Sequence, residues 1–151
     1  LIGVSVTPSV ASAPHTSRNG GRITRQIVMG ADMSINHEPE TLERQAMLFG
    51  HVLGEDGELA VGINARPQPV GVGYYRARND DTFVGVFHPY VRFSEGTEEM
   101  NAALDGITYT TKTTTGSCEV DDAENYEYRK SFKTKAEAIA WINEKLNIAA
   151  A

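Results

Sequence analysis

The sequence predicts a mainly β protein of the α+β class: an antiparallel β-sandwich or barrel with a flanking α-helix and a C-terminal α-helix. Three observations carry this. Alternating or continuous apolar stretches recur between turn residues, giving six or seven strands. Only two stretches have helical spacing, and they do not alternate with the strands, so no βαβ unit is expected. The 151 residues suit a single domain, 1–151, with enough chain to enclose a core.

The first stretch, "LIGVSVTP", alternates weakly and reads as a strand. Residues 9–21, "SVASAPHTSRNGG", are rich in Ser, Pro, Asn and Gly and read as a long flexible loop, a feature that is usually functional or disordered. "RITRQIVMGADMSIN" resumes strand character with Ile23, Ile27, Val28 and Ile35 and a break at Gly30. "HEPETLERQAMLFGHVLG" predicts the first helix. Pro39 suits its first turn, Glu38 and Glu40 its positive end, and Leu42, Ala46, Phe49 and Leu53 form an apolar stripe. Gly50 or Gly54 can end it in a left-handed conformation.

Strand-like segments follow in "ELAVGIN", "PVGVGYYRAR", "TFVGVFHPYVRF" and "ITYTTKTTTGSCEV". Asn79 to Asp81 is a hairpin turn between two of them. The G-x-G in "GVGYY" lacks a third glycine and a following helix, so it predicts close strand packing and not dinucleotide binding. "NYEYRKSF" is the last strand, alternating Tyr126, Tyr128 and Phe132. The C-terminal helix spans 135–147, opened by a Thr134–Glu137 capping box. Ala138, Ile139, Ile142 and Leu146 give its buried stripe, with Trp141 at the edge.

Composition narrows function. A formal net charge of −6 argues against a protein that grips nucleic acid through phosphates. A single cysteine, Cys118, forbids an internal disulfide and makes a cysteine zinc site a poor reading. His15, His37, His51 and His88 fall in four different elements without ligand spacing, so no metal is expected. No phosphate loop, nucleophile elbow or H-E-x-x-H occurs. No catalytic residue, cofactor or enzyme activity is therefore predicted. The apolar runs are too short to span a bilayer as helices, and no membrane partner is expected. The start at Leu1 reads as processed or trimmed.

"YTTKTTT" is polar on both faces. As an exposed edge it would be a hazard, so it is expected to line a wet lumen or meet a neighbouring subunit through Thr108, Thr110, Lys112 and Thr114.

The order of segments resembles the major tail proteins, or tail tube proteins, of long-tailed siphophages. The resemblance spans roughly Gly21 to Phe132. It rests on the helix corner Leu48-Phe49-Gly50-His51 and on Tyr74, Phe83, Phe87, Phe93, Ser94, Glu95, Glu98 and Glu99, followed by the Thr-rich strand. It implies a β-sandwich of the tail-tube type that assembles as homo-hexameric rings, stacked into a virion tail tube through which DNA passes transiently. Assembly would occur in the host cytoplasm, with tape measure, terminator and distal tail proteins as partners. The loop residues Thr7, Pro8, Ser9, Pro14, His15, Arg18, Asn19 and Gly20 would reach the adjacent ring. Acidic groups along the lumen would repel phosphates. Two other readings stay open. One is another virion ring or decoration component: a tail terminator, distal tail or head decoration protein. The other is a small nucleic-acid-binding module built on Tyr126, Tyr128, Arg129, Lys130, Phe132, Lys133 and Lys135.

Overall fold

A computed structural model describes residues 3–16, 22–96 and 111–147. The fold is mainly β. Its elements are β1 (Gly3–Thr16), β2 (Arg22–His37), α1 (Leu42–Phe49), β3 (Val52–Leu53), β4 (Leu59–Ala60), β5 (Val70–Ala77), β6 (Phe83–Ser94), β7 (Lys112–Glu119), β8 (Tyr128–Phe132) and α2 (Lys135–Lys145). One antiparallel sheet runs β1-β2-β7-β6-β5, and β3 and β4 form a small separate ladder.

β6 organises the sheet. β5 pairs along one edge of it, while β8 and β7 share the other edge end to end, at Phe83–Phe87 and Tyr90–Ser94 respectively. A bulge carries β6 from His88, opposite Val72, to Val91, opposite Val70. Pro89, which has no N–H to donate, lies in this bulged stretch, where a ladder tolerates it.

The predicted loop over 9–21 is corrected by the backbone. Residues 9–16 are strand, paired antiparallel with 22–30, and 17–21 lie outside the described residues. Pro8 and Pro14 are tolerated because β1, among the described residues, is an edge strand with a partner on one side only.

The first helix is also shorter than expected. Thr41 is its N-cap, with Oγ1 accepting from the Arg44 N–H at 3.4 Å, so Pro39 and Glu40 precede the helix. Gly50 ends it at φ +71°, as the sequence suggested. A Cβ on Gly50 would come within 2.5 Å of the Arg66 backbone, so the position needs glycine twice over. The expected capping box of α2 is present, with Thr134 and Glu137 bonding reciprocally.

The two helices cover different faces. Phe49 of α1 packs into the main core with Ala31, Met33, Val91, Phe93 and Cys118. On the other face, α2 lies over β5, β6 and β8. The glycines of "GVGYY" explain its approach: a Cβ on Gly71 would meet Leu146, and one on Gly73 would meet Ile142. Ala138 and Ile142 are buried as expected, but Ile139 is exposed. Trp141 instead covers Gly85 and tilts against Phe132, with ring centroids 5.8 Å apart.

Candidate assembly surface

The corner Leu48-Phe49-Gly50-His51 is an anchor inside the chain. Phe49 is buried, and Lys112 Nζ sits 5.5 Å from its ring centroid. Leu48 packs against the same core. His51 Nε2 lies 2.8 Å from Glu95 Oε2, tying the exit of α1 to the segment just after β6. The sequence marked this corner correctly as a turning point.

Below it sits a buried polar cluster that the sequence did not reveal. His37 Nε2 is 2.8 Å from Thr114 Oγ1 and 3.1 Å from Glu40 Oε1. Thr114 Oγ1 donates to Glu40 Oε1 at 3.2 Å. Lys112 Nζ lies 3.5 Å from Glu40 Oε2, both side chains being 5% exposed. Glu40 is held here because the helix starts only at Leu42, which frees the preceding segment to turn its carboxylate inward.

The same cluster overturns one expectation. Lys112 and Thr114 were candidates for a lumen or inter-subunit strand, yet both are buried by this chain itself. β7 is central, lying between β2 and β6, and its even positions 112–118 point to the core. Charge pairing lets a lysine enter there. Thr108 and Thr110 lie outside the described residues. The odd positions Thr113, Thr115 and Ser117 are exposed on the opposite face.

The surface most in need of a partner is the β1–β2 arm. β2 pairs with β7 only over Ala31–His37. Seven further pairs, from Val10–Val28 to Thr16–Arg22, join β1 and β2 alone. They extend about 23 Å with no third strand among the described residues. The arm leaves the sheet at a bulge after Ser9–Gly30, where Gly30 takes φ +153° and a Cβ would come within 3.0 Å of the Cys118 carbonyl oxygen. Just beyond that bulge Val10 is 49% exposed and its cross-strand partner Val28 is 51% exposed. Of the proposed contact residues, Thr7, Pro8 and Ser9 lie in the sheet-bound part of β1 and Pro14 and His15 in the arm, while Arg18, Asn19 and Gly20 lie outside the described residues. Arg18, Arg22 and Arg25 make the stretch 10–28 basic, and it holds none of the chain's Asp or Glu.

The aromatic and basic residues of "YEYRKSFK" are engaged within the chain. The Tyr128 hydroxyl donates to Asp121, and Lys145 Nζ is 5.8 Å from the Tyr128 ring centroid. Lys130 covers Phe132 at 5.5 Å, Lys135 covers Tyr75 at 5.4 Å, and Arg129 pairs with Glu127. These contacts occupy ring faces and charges that a base-stacking platform would present.

Two groups with chemical potential are shut away. His88 is fully buried, its Nδ1 3.0 Å from the Tyr126 carbonyl, and burial pushes its pKa down. The Cys118 thiol is buried, and its pKa is pushed up to about 11 by that burial. Among the described residues, no group of three or more His, Cys, Asp or Glu could hold a metal ion, and no helix is long and apolar enough to cross a membrane. Comparisons with family models, with curated proteins and with solved structures find no match.

Proposed function

We propose that this chain is a structural subunit that assembles with copies of itself into stacked rings, as the resemblance to siphophage tail tube proteins implies. The observation that carries the reading is the β1–β2 arm. A two-stranded ribbon is at best marginally stable in water, and here it exposes an apolar cross-strand pair and, among the described residues, two unpaired edges. Such an arm is stabilised when another molecule covers it. Its charge suits a second copy. The arm is basic while the rest of the chain is more acidic than the whole, so contact between arm and body is attractive between copies. The neutral, buried His88 and Cys118 offer no competing chemistry, and the nucleic-acid reading is weakened by the internal contacts of Tyr128, Lys130 and Lys135.

Negative-stain electron microscopy of the concentrated protein, with light scattering on the same sample, tests this. Stacked rings or hollow tubes are expected. Val28→Asp should abolish them while leaving the melting temperature of the monomer unchanged, because Val28 stands outside the core. Single rings that never stack would move the assignment to a terminator, distal or decoration component. A strictly monomeric protein at all concentrations would sink the proposal.

A further inference from the structure

The buried cluster beside α1 holds an amine and a carboxyl group that the assembly reading does not use. Lys112 Nζ lies 3.5 Å from Glu40 Oε2, with both side chains 5% exposed. The two oxygens of that carboxylate have different surroundings. Oε1 accepts from the Thr114 hydroxyl at 3.2 Å and lies 3.1 Å from His37 Nε2. Oε2 is buried and, among the described residues, accepts no hydrogen bond. A buried ion pair is favourable only when further hydrogen bonds satisfy what the pair leaves over. Here one oxygen is held by its neighbours, the other is bare, and the bare one faces the amine.

That asymmetry is what acyl transfer to an amine needs. Donors at Oε1 stabilise the negative charge that this oxygen carries in a tetrahedral intermediate. His37 is such a donor in its Nε2-protonated form, and Thr114 is one already. The unheld Oε2 is free to leave. The surroundings are apolar on the amine side: the Phe49 ring centroid is 5.5 Å from Nζ, and Phe49 packs in the core with Met33, Val91 and Phe93. Both reacting groups are held by the backbone. The β2–β7 register sets Lys112 opposite His37, and Glu40 immediately precedes Thr41, the N-cap of α1. Well-oriented groups in one molecule reach effective concentrations on the order of 10⁵ M or more.

We infer that Lys112 and Glu40 join through an amide bond, a cross-link that the folded chain forms by itself. The inference is independent of the tube reading. The 3.5 Å contact is the unreacted pair. Passing one proton from Nζ to Oε2 makes both groups neutral and relieves the desolvation penalty of two buried charges. The Nζ lone pair then attacks Cδ, and the carbonyl electron pair moves onto Oε1. Its return re-forms the carbonyl and breaks the Cδ–Oε2 bond. Of the three ammonium protons, one stays on the amide nitrogen and two leave on Oε2 as water. One cation and one anion disappear together, so the net charge is unchanged, and no oxidant or co-reactant is consumed. His37, Glu40 and Thr114 line a cavity of about 670 Å³, which gives the released water an exit. The product closes a loop from Glu40 to Lys112 that takes in α1 and β3 to β6. Such a loop restricts the unfolded chain as a disulfide does.

Intact-mass spectrometry of the denatured wild-type chain tests this without any variant. The expected mass is that of the sequence less one water. After digestion, tandem spectra should show a branched peptide joining Glu40 to Lys112, with no tryptic cut after Lys112. The full sequence mass would overturn the inference. A water loss that maps elsewhere, such as to a succinimide at Asp56–Gly57, would overturn it as well.

Two variants test the chemistry. Lys112→Arg keeps a positive charge but removes the amine, and it should show its full sequence mass. Loss of water in that variant would overturn the inference. Thr114→Val keeps the shape of the side chain and removes a donor to Oε1. At equal times after synthesis, a smaller fraction of it should be cross-linked than of the wild type. An equal fraction would overturn the role given to the held oxygen.

Discussion

Lys112 Nζ lies 3.5 Å from Glu40 Oε2, and both side chains are withdrawn from water. A buried pair of this kind contributes little net stability, but losing one partner strands the other. Lys112→Met or Glu40→Gln alone is expected to cost about 3–5 kcal/mol in urea denaturation. The double variant Glu40→Leu/Lys112→Met should cost much less than the two together. Single variants that lose under about 1 kcal/mol would mean the pair behaves as a solvated surface pair.

The approach of α2 to the sheet depends on Gly73, over which the Ile142 side chain sits. Gly73→Ala should push the helix outward and lower stability by about 1–3 kcal/mol, measured by thermal melting. Ile142→Ala opens a cavity at the same spot. Combining the two should recover part of the loss, since the new methyl occupies that space. Strict additivity would show that the two residues do not share the contact.

Burial holds the His88 imidazole below its ordinary 6.5, the Tyr126 carbonyl and Glu127 partly opposing this and Arg129 adding to it. The unfolded chain therefore binds the proton more readily than the folded one. His88 contributes its full stability above pH 6.5 and loses it as the pH falls below that value. The carboxylates held low by hydrogen bonds, Glu119 by Arg92 and Asp121 by Tyr128, lose theirs only in more acidic solution. His88→Gln should thus flatten the stability curve just below pH 6.5. An unchanged slope there would exclude His88 as its source.

Cys118 should behave as an inert hydrophobe. Its burial and its pKa near 11 leave almost no thiolate at neutral pH. Reaction with a disulfide reagent should be negligible for the native protein and complete in denaturant. Rapid native reaction would reveal an opening around β7, which carries the thiol between β2 and β6.

The parts legible in the sequence are those fixed by local chemistry. The capping box at Thr134, the left-handed Gly50 and the hairpin turn at Asp81, where φ is +57°, need only neighbours in the chain. The strand character of β5 and β6 also follows from their apolar, β-branched and aromatic runs. What failed was decided at a distance. Residues 9–16 have loop composition, but pairing with 22–30 makes them strand. "YTTKTTT" reads as polar on both faces because nothing in it announces that Glu40 will receive Lys112. His37, Glu40, Lys112 and Thr114 come together only through the β2–β7 register, which begins at the pair His37–Lys112.

That register also sets a timetable. β2 finds its second neighbour only when β7 emerges from the ribosome, about 75 residues later, a delay on the order of 4–15 s at typical synthesis rates. Until then a 16-residue strand is held by β1 alone, with its other edge open to any passing chain. In a cell making many copies at once, the nascent strand meets other copies of the chain before it has met its own seventh strand. Pro8 and Pro14, and the basic charge of the arm, guard against premature pairing during that wait.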